Sequence, residues 1–223
     1  MKRLLLFLLL GWPLLAPAQG NLPARHATVF DLTAATGPTL NAASVAVWRL
    51  WGLDAGGRFQ VGLGLRASHY FADVNAFDSQ TGPDNGVLTV TKPRSLALNV
   101  AFHLRARVAG PVGVGFNLDV AGFSVGPDRP GTRTYPPQAP AGPIWLTFPP
   151  GPARTEPVPG NLLLGGLRDR GSLNSELYAS VALPAGFSVR AGYCHLVTAQ
   201  IADDYRFRRF RNLASVGVSW QLP

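Results

Sequence analysis

Four histidines, one cysteine and twelve carboxylates carry most of the reactive chemistry in this 223-residue chain. Two of the histidines have a hydroxyl close by: His69 follows Ser68, and His195 precedes Thr198 by three residues. With Glu176 they form the raw material of a nucleophile, base and orienting acid, a set that works only within hydrogen-bond reach. Their parity opposes it. His69 and His195 fall on the apolar series of alternating segments and Glu176 falls on the polar series, so they point to opposite sides of a sheet unless a bulge re-aims one. His26, His69, His103 and His195 are scattered, and Cys194 has no partner at ligand spacing, so neither a metal nor a cofactor is expected. Gly62-Leu63-Gly64 is not followed by a helix, which excludes a nucleotide loop. The chain is expected not to be an enzyme.

A second constellation is more coherent. Arg66, His103, Arg105, Arg107 and Arg190 share the polar series with Asp119 and Glu176. If that series faces inward, these residues make either a basic channel lining or a plug of paired charges. An unpaired buried arginine is costly, so pairing with Asp119 and Glu176 is the expectation.

The elements that position these residues read as long alternating strands. Leu96, Leu98, Val100, Phe102, Leu104, Ala106 and Val108 oppose Ser95, Ala97, Asn99, Ala101, His103, Arg105 and Arg107. The same period of two runs through 59–68, 112–121, 173–183, 187–194 and 214–222. These runs reach about 10 to 14 residues, whereas strands of soluble domains average about five or six and tilted membrane strands need about nine to eleven. The second face carries Gly, Ser, Ala and Asn with a few Arg, which suits a narrow barrel interior. Tight turns at 53–57, 109–111 and 184–186 alternate with long links at 72–94, 126–171 and 199–211. That asymmetry belongs to barrels with short periplasmic turns and long extracellular loops. Seven strands count back to 43–52, and Thr28–Thr36, the poorest alternator, supplies the eighth. The expected fold is therefore all-β: an eight-stranded antiparallel up-and-down transmembrane barrel. Trp48, Trp51, Tyr70, Phe71, Phe187 and Trp220, with Phe59, stand near strand ends as membrane-interface aromatics.

Lys2 and Arg3, the apolar run from Leu4 and Ala16-Pro17-Ala18 read as a Sec-type signal peptide over 1–18, followed by an N-terminal lead over 19–27 and the barrel over 28–223. Without Lys2 and Arg3 the formal charge of +8 falls to +6. No clustered basic stretch beyond Arg206–Arg211 argues for nucleic acid. Eleven of the 20 prolines lie between Pro127 and Pro159, so the 126–171 segment is expected to be neither strand nor helix but an extracellular loop. Its Tyr135, Ile144, Trp145, Leu146 and Phe148 are candidates for contact with an extracellular partner.

Asp203 to Asn212, followed by Val216-Gly217-Val218-Ser219-Trp220, resembles the last loop and closing strand of small outer-membrane β-barrel proteins of the Bacteroidetes type, within the porin-like superfamily. The chain departs from that pattern by ending Trp220-Gln221-Leu222-Pro223 rather than on an aromatic. The resemblance implies location in the cell outer membrane, with outer-membrane lipid, lipopolysaccharide and the barrel-assembly machinery as partners. It implies no activity. The expected role is structural or surface-interacting. The alternatives are a narrow barrel for small anionic or hydrophobic solutes and, third, a lipid A-modifying enzyme acting at the rim through His69 or His195.

Overall fold

The computed structural model describes residues 26–79, 86–134, 150–203 and 205–222. The expected signal peptide at 1–18 and the aromatic-bearing segment 135–149 lie outside them. Thirteen antiparallel strands form one sheet among the described residues: β1 (His26–Thr36), β2 (Asn41–Gly52), β3 (Phe59–Phe71), β4 (Val74–Ser79), β5 (Val87–Thr91), β6 (Arg94–Ala109), β7 (Val112–Val125), β8 (Arg129–Thr134), β9 (Gly151–Pro157), β10 (Gly160–Leu162), β11 (Leu173–Ala182), β12 (Phe187–Ala202) and β13 (Tyr205–Gln221). The expected total of eight is thus too low, because strands form inside segments read as loops.

Two circuits of pairing share the β12–β13 hairpin. The larger runs β1–β2–β3–β6–β7–β11–β12–β13 and closes where Val29–Thr36 of β1 pairs with Gln221–Ala214 of β13. Closure leaves none of these strands as a bare edge. The smaller circuit rises above it. Gln200 and Ile201 of β12 pair with β9, β9 with β8, β8 with β5, β5 with β4, and β4 with Phe207 and Arg208 of β13.

Three loop expectations are corrected here. The 199–211 link is not a loop, since β12 and β13 stay paired up to Ala202 and Tyr205. Their upper halves have a core of their own to pack on: Phe77, Leu88, Val90, Ala202 and Phe207. The 72–94 link contains β4 and β5. The proline-rich segment contains β8, β9 and β10, with Pro130, Pro152 and Pro157 inside strands. Pro130 and Pro152 are paired only on the β8–β9 side, and Pro157 only with Gln200, so each missing N–H can face the side without a partner.

At the opposite end the connections are tight. The β2–β3 turn is held by Asp54, whose carboxylate accepts the Phe59 N–H at 2.8 Å. That bond to the ionised form holds the Asp54 carboxyl below its ordinary value. Two residues, Gly110 and Pro111, join β6 to β7. A register shift at Val100/Ala101 marks a bulge, and beyond it the inward series of β7 changes parity, from Asp119 to Ser124.

Candidate functional site

The inside of the larger circuit is the most chemically distinctive region. Each strand contributes alternate residues to it: Asp31 and Thr33 from β1, Trp48 from β2, Arg66 and Ser68 from β3, Asn99 and His103 from β6, Asn117 and Asp119 from β7, Glu176 and Tyr178 from β11, Arg190 from β12 and Ser215 from β13. All are buried.

Two arginines organise this interior. The Arg190 guanidinium donates to Asp31 Oδ2 at 2.7 Å and to the Thr33 hydroxyl, and stands 3.4 Å from Glu176 Oε2. Asp31 Oδ2 also accepts the Trp48 indole N–H at 2.5 Å. Glu176 accepts from the Asn117 amide at 2.9 Å and the Ser215 hydroxyl at 3.0 Å. Arg66 pairs with Asp119 at 3.4 Å, and Asp119 accepts from the Asn99 amide at 2.8 Å and the Asn174 backbone N–H at 3.0 Å. Each guanidinium thus has at least one carboxylate partner, two of them for Arg190, inside a ring where an isolated charge would be prohibitive.

Aromatic rings fill the space between the ion pairs. The Arg66 guanidinium lies 5.5 Å from the Trp48 ring centre and that of Arg190 lies 4.8 Å from Tyr178. His103 sits between the rings, 5.0 Å from Trp48, with Nε2 3.4 Å from the Tyr178 hydroxyl. These rings lie flat because glycine faces them across the ladder. Trp48 is paired with Gly64, and a Cβ there would come within 2.5 Å of the indole. Tyr178 is paired with Gly115, where a Cβ would meet the phenol at 2.2 Å.

The connection from β7 to β11 closes the upper end. Asn161 of β10 donates to Asn99 Oδ1 at 2.7 Å, and its own Oδ1 accepts from the Ser124 hydroxyl at 2.9 Å and the Ser172 N–H at 2.8 Å. Gly171 passes so close that a Cβ would overlap Asn161 Oδ1, and its φ of 74° is one that glycine adopts freely. Apolar layers bound the polar middle on both sides. Val29, Trp48 and Leu50 form one, and Leu40, Tyr70, Leu196 and Leu213 the other.

Of the residues expected in the lumen, Arg66, His103, Asp119, Glu176 and Arg190 are buried together. Arg105 is half-buried at the turn-side mouth. Arg107 is a correction: it is exposed, beside the register shift at Arg107/Ala109 where β6 ends. Two interface aromatics are also corrected. Trp48 and Tyr70 are fully buried inside, because inward parity places Trp48 between outward Val47 and Arg49, and Tyr70 between His69 and Phe71. Phe71, Phe187 and Trp220 are exposed on the outside, with Phe187 stacked on Trp220, and Trp51 is half-buried there. Asp31, Asn99, Asn117 and Tyr178 are central and were not singled out. Asp31 could have been found by reading Phe30 and Leu32 as the outward neighbours of an inward Asp.

The histidines expected at a rim site do not meet nucleophile and acid. His69 is exposed and stacked on Phe71, while Ser68 is buried inside the ring. His195 stacks on Phe210, with Nδ1 2.8 Å from Asn212 Oδ1. Glu176 lies within the interior. Among the described residues no group of three His, Cys, Asp or Glu is placed to hold a metal.

No family model matches the chain, and no curated protein matches it. Solved structures similar over most of its length include two outer-membrane or channel proteins. One is a major outer membrane protein from Thermus thermophilus, 12% identical, covering 88% of this chain and 100% of its own, with a TM-score of 0.40. The other is the CymD monoaromatic hydrocarbon channel, 10% identical, covering 88% of each chain, with a TM-score of 0.20. At these scores the likenesses are loose, and what the chain does has to be read from its own geometry.

Proposed function

We propose that this chain is an outer-membrane β-barrel whose eight-strand circuit crosses the bilayer, sealed within, and whose smaller circuit stands outside the cell as a surface-interaction platform. One observation carries the reading: the wall is inverted relative to a water-soluble fold. Its interior holds ion pairs and amides, while Leu32, Leu63, Leu65, Val100, Leu177, Val216 and many other large apolar side chains cover its outside. Monomeric soluble proteins rarely expose apolar patches beyond a few hundred Å². The apolar face of β3 runs from Phe59 to Phe71, about 40 Å along the strand, and a tilt near 45° brings this to about 28 Å, matching a barrel's hydrocarbon band.

The lumen supports a structural rather than a conducting role. Eight strands leave room for little more than side chains, and here side chains occupy it from the Trp48 layer to the Leu196 layer. Planar-bilayer recording of the purified protein tests this. The expected result is insertion, judged by heat-modifiable gel migration, with no stepwise current. Stepwise current would favour solute transport instead.

A further inference from the structure

We propose that the wall carries a specific site for one anionic phospholipid in the leaflet next to the tight turns, built on Arg49. This rests on the membrane reading above. On the outward face between the Phe59–Phe187 end and the Phe71–Tyr193 end, Arg49 is the single charged side chain among the described residues. It projects from β2, and its Nη1 donates to the Thr28 hydroxyl on β1 at 3.0 Å. That bond uses one of five guanidinium donors and fixes the plane of the rest. Beside it runs an open groove of about 350 Å³ across β2 and β3, lined by Thr28, Val47, Arg49, Leu63 and Leu65.

Cation and groove together fit a particular occupant. Half-buried Trp51 is the next outward residue of β2 toward the turns, so Arg49 lies about 7 Å further along the strand than an interface aromatic. A guanidinium at that depth reaches the phosphate level of the leaflet. Apolar walls at Val47, Leu63 and Leu65 accept an acyl chain, and the fork geometry suits a phosphodiester. Charge complementarity selects a lipid of net negative headgroup over a zwitterionic one, because a choline or ethanolamine would set a second cation against Arg49.

The test uses full-length protein refolded with phosphatidylcholine, titrated with phosphatidylglycerol or further phosphatidylcholine, and examined by native mass spectrometry. Vesicle flotation and heat-modifiable migration are recorded first. The wild type is expected to retain one phosphatidylglycerol at about tenfold lower lipid concentration than phosphatidylcholine. Arg49→Gln is expected to abolish that preference with migration unchanged. Arg107→Gln, which removes an exposed cation at the same end, is expected to leave it intact. Equal retention of the two lipids by the wild type, or equal loss of preference in both variants, would overturn the site while leaving the barrel standing. Failure to float with vesicles would overturn the membrane reading and the site together.

Discussion

The two circuits are built from the same hairpin and are packed in opposite senses. In the lower one, β13 points Ser215 and Ser219 inward and Val216, Val218 and Trp220 outward. In the upper one the same strand turns Phe207 into an apolar core with Phe77, Leu88 and Val90, while Thr132 of β8 and Arg154 and Glu156 of β9 face out. Hydrogen bonding cannot explain the reversal, since the ladder is continuous from Ala202–Tyr205 to Phe187–Trp220. What changes, if the lower circuit crosses the bilayer as proposed, is the solvent each half satisfies. On the proposed membrane reading, the point on β13 where the outward series changes from Asn212 to Ala214, Val216 and Val218 is where water gives way to hydrocarbon.

Substitutions in the two circuits put this contrast to the test. The largest effect is expected at the interior ion pairs. Asp31→Ala strips Arg190 and the Trp48 indole of their shared acceptor and should cost about 3–5 kcal/mol, measured by denaturant unfolding from vesicles. Leu88→Ala should cost about 2–5 kcal/mol, confined to the upper circuit. Hydrogen exchange should rise in β4, β5 and β8 while the lower circuit keeps its heat-modifiable migration. Loss of both together would mean that the two halves are one packing unit. Leu65→Arg, at the middle of the outward face of β3, should cost about 2–4 kcal/mol in a bilayer, whereas Thr132→Arg on the upper circuit should fall within about 0.5 kcal/mol. Equal costs would remove the distinction between the two exteriors. Gly115→Ala drives a methyl into Tyr178 and should cost about 1–3 kcal/mol. The smallest effect is at the Asp54 turn. Its folded pKa lies below the ordinary 3.8, so the bond to Phe59 contributes fully above that value and is lost as pH falls through the folded pKa. The Phe59 amide chemical shift should titrate with a midpoint below 3.8.

Much of the lower circuit was legible in the sequence because a wall with an apolar outside and a packed polar interior enforces a strict period of two. Arg66, Asp119, Glu176 and Arg190 were readable from parity alone. Position near a strand end points Trp48 and Tyr70 to the interface, whereas parity points them inside, and for Trp48 the facing Gly64 is a second sign that the ring lies inside. Arg107 was misplaced by a register shift that alternation cannot foresee. The upper circuit was illegible for a different reason. Its strands are five to seven residues long and interrupted by prolines, and their partners are far apart in sequence, as when Phe207 pairs with Ser79.

The central claim is tested most directly by a spin-label scan of the outer surface in vesicles, at Asn212, Ala214, Val216 and Val218 on the wall and at Thr132 and Arg154 above it, in a Cys194→Ser background. The account predicts that oxygen, which concentrates in lipid, relaxes labels at 214, 216 and 218 strongly, while a water-soluble nickel complex reaches 132 and 154 alone, with 212 at the crossover. Uniform access of the nickel complex to all six positions would contradict it.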